Sequence, residues 1–436
     1  MQSIFEWHDF GHLIIISLEA TLQYPAQLLL LLSDSLSYPD IATHYMNMKK
    51  HAPEISILIV GAIGYLIDLG LHPIAADESI YTTISRQMVT EGYWLIPHLP
   101  NHPAIVDGVI FLEKPPLVFW FQAVSMAIFG PSLVAARFPS VLASLVLAVV
   151  VYRMGRSLYS ERVGIASGFV FLVVPAVYWH SHAGRTATTD IFLLLFGALF
   201  VWLLWEGRSR PRLVVWAGVA GGLAVMSKQV AAVQFLLVAL PLLAVYRNEY
   251  SLPALGKGIA AGLIVIVPWN LYAYLSFPDL YLNQMIIEQV LSRGSGSSTL
   301  INMYFLRRWP YYIGPFLLPA SIGIASVAVT AYRERASVKA HAGLLLVWWL
   351  VVPIALFSLV TSTTLIHYLL PTAVPIALLS GLAAVRVTAL FERVISERWR
   401  ETYISSDVYT ILGALITLAL FAVYPAHQAI RASGMS

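Results

Sequence analysis

The chain has 436 residues, of which 58% are hydrophobic and only 11% are charged, and its formal net charge is +3. Soluble domains carry about 25% charged residues, so this composition excludes an ordinary soluble protein and indicates a chain that lies in a lipid bilayer. The absence of cysteine excludes disulfides, thiolate nucleophiles and cysteine-based metal sites.

Long hydrophobic runs predict an all-α polytopic membrane protein with about eleven transmembrane helices, since each crossing needs roughly 20 mostly apolar residues. Residues 49–425 form the predicted membrane domain, after an extension (1–48) with an interfacial helix at Leu13–Leu32 and before a short tail (426–436). A start at Met46 or Met48 is an alternative. The predicted spans are Ile55–Pro73, Leu133–Tyr152, Val163–His180, Ile191–Trp205, Leu213–Met226, Val230–Tyr246, Leu255–Tyr274, Tyr311–Tyr332, Gly343–Val360, Leu369–Val385 and Tyr409–Tyr424.

The distribution of Lys and Arg predicts the orientation of these spans, because cytoplasmic loops carry the excess of positive residues. With the segment before the first span in the cytoplasm, 17 of the 26 Lys and Arg residues fall on the cytoplasmic side and 9 on the other. The two longest loops, 74–132 and 276–310, then lie outside and form the predicted active-site face, since long loops on a rigid scaffold often carry function.

The first outer loop opens with Asp77-Glu78, followed by Ile80, Ile84 and Met88 at helical spacing and then by Gly92. This pattern predicts an amphipathic helix at the membrane surface that stops at the glycine. Asp77 is either a functional carboxylate or the cap of this helix, and the two roles are compatible.

The same loop continues with Glu113-Lys114-Pro115-Pro116, and a second juxtamembrane helix is predicted to start at Pro115. A positive helix end beside Lys114 suits a phosphate group. A Glu113–Lys114 pair that only orders the loop is the alternative.

Later polar residues return to the same side of the membrane. Asp190 stands at the mouth of an apolar run, where a helix cap is the alternative role, and His180 and His182 before it are expected to be a surface-exposed pair. Lys228 lies between two short spans, and a lysine held centrally in the membrane costs roughly 2.5–3.5 kcal/mol, so it is either functional or snorkels to water. The remaining polar candidates on this side are Glu288, Arg293, His367 and Tyr368.

Carboxylates and several cations beside a lipid surface point to chemistry on a lipid-linked phosphate. If the substrate is a lipid phosphate sugar, cations stabilise the charge that develops on the leaving phosphate, and a carboxylate takes the proton of an incoming hydroxyl. Asp77 is the candidate base, and the candidate phosphate contacts are Lys114, Arg185 and Lys228.

The order of Asp77-Glu78, then Glu113-Lys114-Pro115-Pro116, then Arg137-Phe138-Pro139-Ser140 resembles the integral-membrane GT-C glycosyltransferases. Among them it is most similar to the aminoarabinose transferase of lipid A and to the bacterial relatives of protein O-mannosyltransferases. Asp190, Lys228 and His367-Tyr368 follow in the same order, so the resemblance covers about Ile55 to Ala384. Ile80 is a departure, because relatives often carry an arginine there.

The resemblance implies the GT-C fold and inverting transfer of a sugar from polyprenyl phosphate to an envelope acceptor, which is a lipid A-like glycolipid, a glycan or a protein hydroxyl. It implies a location in the inner membrane with a periplasmic active site, membrane lipids as partners and no nucleic acid. The implied catalytic residues are Asp77, Asp190 and Glu78, and a divalent metal ion at Glu113 is the one cofactor considered. The candidate substrate-binding residues are Tyr81, Glu113, Lys114, Arg185, Lys228, Glu288, Arg293, His367 and Tyr368.

A polytopic transporter or lipid flippase is the alternative function. Transporters place polar groups near the bilayer midplane on broken helices, often within internal repeats. This sequence has no evident repeat and gathers its motifs at one surface. A non-catalytic scaffold that has lost activity is a third hypothesis, and the retained acidic and basic motif residues argue against it.

Overall fold

The computed structural model describes residues 38–71, 74, 76–100, 109–292, 302–361, 364–394 and 406–432, and the statements below concern this part of the chain. Its regular elements are helices, and these residues contain no β-strand. The predicted interfacial helix at Leu13–Leu32 lies outside the described residues. All contacts given below lie within residues 56–436, which form one compact unit.

The α-helices are Tyr38–Leu66, Ala76–Glu91, Leu117–Phe129, Leu133–Leu158, Glu161–Val173, Pro175–Tyr178, Asp190–Gly207, Pro211–Lys228, Val233–Val245, Leu252–Ser276, Pro278–Tyr281, Met303–Ile313, Leu317–Arg333, Val338–Val360, Ala373–Val394 and Ser406–Ala432. Three 3₁₀ segments, Gln229–Ala232, Gly314–Phe316 and Ile366–Thr372, connect some of them, and Leu282–Ser292 is a π-helix.

Every predicted span overlaps a helix, but the described residues contain seven helical segments long and apolar enough to cross a membrane. One of them, Pro211–Val245, covers nearly all of two predicted spans, Leu213–Met226 and Val230–Tyr246, and the 3₁₀ turn Gln229–Ala232 lies where these spans meet. The chain is thus an integral membrane protein, and the count of eleven spans stays a prediction.

The first helix differs from its prediction at both ends. It begins at Tyr38, before the predicted boundary at residue 48, and ends at Leu66, earlier than the predicted Pro73. Asp68 follows the helix with a φ of 55°, a left-handed conformation that few residues other than glycine adopt. Asp68 therefore lies outside the helix that was expected to contain it.

The two helices of the first long loop form as the Gly and Pro signals predict. Ala76–Glu91 stops before Gly92, whose φ of 79° is the left-handed conformation typical of a helix end, and Leu117–Phe129 begins just after Pro116. The second helix is almost entirely apolar rather than amphipathic. It packs against the first through a small core of Tyr81, Ile84, Met88, Phe119 and Ala123.

Glycines allow close helix packing within the membrane part. Gly218 lies against the backbone of Gly258, and Gly155 lies against the backbone of Gly164, so that a Cβ at any of these positions would meet main-chain atoms. In a bilayer, helices associate through such close packing, because lipid tails are as apolar as the side chains. The first contact holds Pro211–Lys228 next to Leu252–Ser276, and the second holds Leu133–Leu158 next to Glu161–Val173.

Candidate functional site

The motif residues meet where several helices end. They come from the first turn of Ala76–Glu91, the loop before Asp190–Gly207, the last residue of Pro211–Lys228 and the 3₁₀ segment Ile366–Thr372. Helix ends leave backbone groups unpaired and carry partial charges, so polar side chains are readily accommodated there.

Asp77 is the more accessible carboxylate of the site, with 41% of its side chain exposed. Its Oδ2 lies 3.3 Å from Nε2 of His182 and accepts a hydrogen bond of 3.3 Å from the Tyr81 hydroxyl. Burial raises the pKa of Asp77, but the hydrogen bond and charge of His182, together with Lys228, outweigh it and lower the pKa from 3.8 to about 2. Asp77 is therefore a carboxylate at neutral pH.

Asp190 and Lys228 form a buried ion pair. Nζ of Lys228 donates to Oδ1 of Asp190 over 2.6 Å, and the lysine and the aspartate are 7% and 3% exposed respectively. Lys228 also lies 5.3 Å from the ring centre of Tyr368. The alternative in which Lys228 snorkels to water is therefore wrong, because a carboxylate holds its ammonium group inside the protein.

His182 and His367 stack on each other with ring centres 3.7 Å apart, and both are buried. One ligand atom from each of His182, Asp190 and His367 lies within 4.8 Å of the others, a grouping that could hold a metal ion. The expectation of a surface-exposed histidine pair was wrong, because His182 turns inward to Asp77. His180 lies apart, with its ring against Tyr312.

Glu113 and Lys114 are joined by a residue of the π-helix. Nζ of Lys114 donates to Oε1 of Gln289 over 2.9 Å, and Nε2 of Gln289 donates to Oε2 of Glu113 over 3.2 Å. Glu113 is not part of a group of three potential metal ligands among the described residues. The side chain of Glu113 accepts from an amide in this structure, and the metal position predicted there stays a prediction.

A cavity of about 140 Å³ connects these groups. Its polar wall includes Glu113, Lys114, Lys228 and Gln289, and Tyr368 also lines it. Its apolar wall consists of Val230, Ala231, Val233, Leu356, Phe357 and Val360. The cavity thus has a cationic end and a hydrocarbon-like side.

Glu78 does not share the surroundings of its neighbour Asp77. It is fully buried, receives hydrogen bonds of 2.7 and 2.8 Å from Nε and Nη2 of Arg137, and accepts a third of 2.7 Å from the backbone N–H of Ala187. Such a carboxylate joins two segments of the fold. These contacts favour a structural role, and the catalytic role expected of Glu78 stays a prediction.

Arg185 also lies away from the cavity. It donates to the Tyr178 hydroxyl over 3.3 Å and to the backbone oxygen of Ile67, and its guanidinium lies 5.1 Å from the ring centre of Tyr178. The charge of Arg185 is thus directed to the loop that follows the first helix, and its predicted phosphate contact stays a prediction.

Some of the remaining predicted substrate-binding residues lie at the site and others do not. Tyr81 is buried and contacts Asp77, while His367 and Tyr368 line a small cavity with Asp190 and Lys228. Glu288 is half-buried and is not among the described residues that line either cavity. Arg293 lies outside the described residues.

The sequence does not predict the roles of two site residues, His182 and Gln289, or the partner of Arg137. The sequence pattern places His182 in an exposed pair, although its spacing of eight residues from Asp190 across a helix start could have suggested convergence. Gln289 gives no signal, because an amide near the end of a loop is common and its contacts reach far along the chain. Arg137 stands out only as part of a motif, which does not point to its partner Glu78.

Comparison with known proteins agrees with this architecture. Residues 113–272 match the family described as dolichyl-phosphate-mannose-protein mannosyltransferase. A Pseudomonas fluorescens protein named undecaprenyl phosphate-alpha-4-amino-4-deoxy-L-arabinose arabinosyl transferase 2 is 28% identical over 377 residues, which cover 84% of this chain and 60% of that protein. A Pseudomonas aeruginosa transferase is 28% identical over 76% of this chain and 59% of its own length. The chain thus spans about 60% of the length of these relatives.

Solved structures support the fold. ArnT from Cupriavidus metallidurans bound to undecaprenyl phosphate superposes with a TM-score of 0.65 at 20% identity, covering 86% of this chain and 72% of that one. The apo oligosaccharyltransferase of Archaeoglobus fulgidus gives a TM-score of 0.52 at 14% identity, covering 85% of this chain and 55% of that one. The resemblance predicted from the sequence is confirmed: the chain is similar to the aminoarabinose transferases and shares the fold of ArnT.

Proposed function

We propose that this chain is a polyprenyl-phosphate-sugar-dependent glycosyltransferase, which transfers a sugar with inversion to an envelope acceptor on the periplasmic face of the inner membrane. The acceptor is a lipid A-like glycolipid, a glycan or a protein hydroxyl. The cavity between the two lysines and the apolar wall is the observation that carries this proposal. The names of the relatives, which are undecaprenyl-phosphate-dependent arabinosyl transferases, support it.

The cavity lining is chemically complementary to a lipid phosphate. Lys114 and Lys228 present two ammonium groups that suit a phosphate, whereas Val233, Leu356 and Val360 offer an apolar surface to a polyprenyl chain. Both lysines are almost completely buried, so their charges act in a poorly screened environment. Phosphate binding there would recover the solvation that burial removes.

The proposed reaction forms one bond and breaks one bond. An oxygen of the acceptor attacks the anomeric carbon, and the bond from that carbon to the phosphate oxygen breaks, so that polyprenyl phosphate leaves with both electrons. Lys114 and Lys228 stabilise the negative charge that develops on the leaving phosphate. When the acceptor is a hydroxyl, its proton passes to Asp77, the ionised and accessible carboxylate.

Asp190 has a supporting role in this scheme. Its carboxylate holds Lys228 by the ion pair of 2.6 Å and so positions the ammonium group at the cavity. Tyr81 and His182 both contact Oδ2 of Asp77 and so limit the rotation of this carboxylate. His182, Asp190 and His367 could hold a divalent metal ion, and no step of this proposal depends on it.

The decisive experiment measures release of free polyprenyl phosphate. The purified chain, reconstituted in lipid vesicles, receives a panel of polyprenyl-phosphate sugars together with a membrane extract as the source of acceptor. We expect release with one donor sugar, and we expect Asp77→Asn to abolish it. Asp279→Asn, which alters an exposed carboxylate, is the matched control and should retain full turnover. Full activity of Asp77→Asn would remove Asp77 from the base role, and no release with any donor would favour transport.

A further inference from the structure

Two histidines and one aspartate converge from three separate parts of the chain. His182 lies in the loop before Asp190–Gly207, Asp190 is the first residue of that helix, and His367 lies in the 3₁₀ segment Ile366–Thr372. All three are buried, and a ligand atom from each lies within 4.8 Å of the other two. A tetrahedral zinc ion holds its ligand atoms roughly 3.3 Å apart, so small side-chain rotations would bring these atoms onto one ion.

We infer that His182, Asp190 and His367 form a binding site for a divalent transition-metal ion, with zinc as the best match. Two imidazole nitrogens and one carboxylate oxygen are ligands that zinc and its first-row neighbours prefer, whereas Mg²⁺ and Ca²⁺ favour oxygen alone. Three protein ligands leave a coordination position for water or substrate. This inference does not rest on the proposed glycosyl transfer.

Asp190 supplies an independent reason to expect a ligand. Its Oδ1 is paired with Lys228, but its Oδ2 is buried and has no hydrogen-bond partner among the described residues. A buried carboxylate oxygen without a donor is rare and destabilising, and a bound cation would satisfy it.

The space beside these groups matches a single ion or water. A cavity of about 10 Å³ is lined by Asp190, His367, Lys228 and Tyr368, among others. A volume of roughly 10–15 Å³ is what one water needs, so this cavity does not admit a larger ligand.

Both ring nitrogens of His182 lie near an oxygen atom that is not one of the proposed metal ligands. Its Nδ1 lies 3.2 Å from the Ser181 hydroxyl, and its Nε2 lies 3.3 Å from Oδ2 of Asp77. When one nitrogen binds the ion, the other keeps an oxygen partner that orients the ring, as is usual for histidine ligands of metals.

The local charge favours a cation as well. Asp77 contacts His182, and Asp190 is paired with Lys228. The two carboxylates outnumber the one ammonium group, so a divalent ion is electrostatically acceptable there.

Metal binding by the purified full chain tests the inference directly. The protein is stripped with a chelator, and zinc binding is measured by competition with a chromophoric chelator, with cobalt absorption in the visible range as a second readout. We expect one tight zinc per chain, and a cobalt spectrum typical of nitrogen and oxygen ligands. Loss of an outer-sphere partner of a metal ligand commonly weakens metal binding about 10–100-fold, so His367→Ala and His182→Ala should weaken it at least as much.

His180→Ala is the matched control, because this neighbouring histidine packs against Tyr312 and is not part of the group. It should bind zinc like the unmodified chain. Absence of saturable zinc binding by the folded, unmodified protein would overturn the inference, as would equal affinity in folded His367→Gln. The test measures metal binding and not turnover, so its result is independent of whether the chain is a glycosyltransferase.

Discussion

Nζ of Lys228 and Oδ1 of Asp190 are 2.6 Å apart, and the pair joins the last residue of one membrane helix to the first residue of another. The ammonium group would otherwise be a buried charge without a counterion, which is strongly unfavourable. The pair therefore serves the fold and the cavity together, because the same contact directs Lys228 to the cavity wall.

Breaking this pair should reduce both stability and activity. Lys228→Met leaves Asp190 without its cation, and removal of one partner of a buried pair costs about 3–5 kcal/mol. The double variant Lys228→Met, Asp190→Asn should recover much of the thermal stability but no turnover. Thermal unfolding and polyprenyl phosphate release are the two measurements, and strict additivity of the two stability losses would contradict the pairing.

Loss of charge at Glu78 should mainly lower stability, whereas loss of charge at Asp77 should mainly abolish activity. Glu78→Gln removes the charge that compensates the fully buried Arg137 and should lower stability by about 3–5 kcal/mol. Activity per folded molecule should stay within a few-fold of the unmodified chain, because Glu78 has no access to substrate. Asp77→Asn should abolish turnover and lower the unfolding temperature less than Glu78→Gln does, because the lowered pKa of Asp77 contributes some stability but its side chain is 41% exposed. A stable but inactive Glu78→Gln would restore the catalytic hypothesis for this residue.

Gln289 should influence donor binding through Lys114. Gln289→Ala removes the hydrogen bond that holds the ammonium group, and a hydrogen bond to a charged group contributes about 1.5–3 kcal/mol. We expect kcat/KM for the donor to fall roughly 10-fold or more, through a higher KM and a lower kcat, because Lys114 contacts the phosphate before and during its departure. Asn283→Ala, an exposed residue on the same π-helix, is the control and should leave KM unchanged.

Substitution of Arg185 should affect stability, whereas substitution of Lys114 should affect donor binding. Arg185→Ala removes contacts to Tyr178 and Ile67 and should lower the unfolding temperature, with an unchanged KM for the donor in the folded fraction. Lys114→Ala should instead raise KM, because this lysine lines the cavity. A raised KM in stable Arg185→Ala would place the arginine at the donor after all.

Close packing of two helices predicts a sharp difference between two glycines. A Cβ at Gly218 would meet the backbone of Gly258, and overpacking of this kind commonly costs about 1–3 kcal/mol. Gly218→Ala should therefore lower the unfolding temperature. Gly256→Ala, on the same pair of helices but with open space around its Cβ position, should not destabilise the protein.

Local sequence patterns determined much of the architecture. Apolar runs predicted the positions of the helices long enough to cross a membrane, Gly92 and Pro116 marked helix ends, and the Glu113-Lys114 stretch pointed to the GT-C resemblance. These signals were readable because the bilayer requirement, proline geometry and left-handed glycine conformations act within a few residues. Helix ends between short spans, such as Lys228, were harder to place, because the fusion of two spans into one segment depends on neighbouring helices.

Only the tertiary structure decided which partner each polar residue has. Asp77 and Glu78 are adjacent in sequence, yet successive residues of a helix point about 100° apart, so one faces the site and the other faces Arg137. The stack of His182 on His367 and the bridge from Gln289 to Lys114 join segments far apart in the chain. Such contacts depend on how whole helices pack, which sequence spacing does not encode, whereas the residue types available to the site were already present in the motifs.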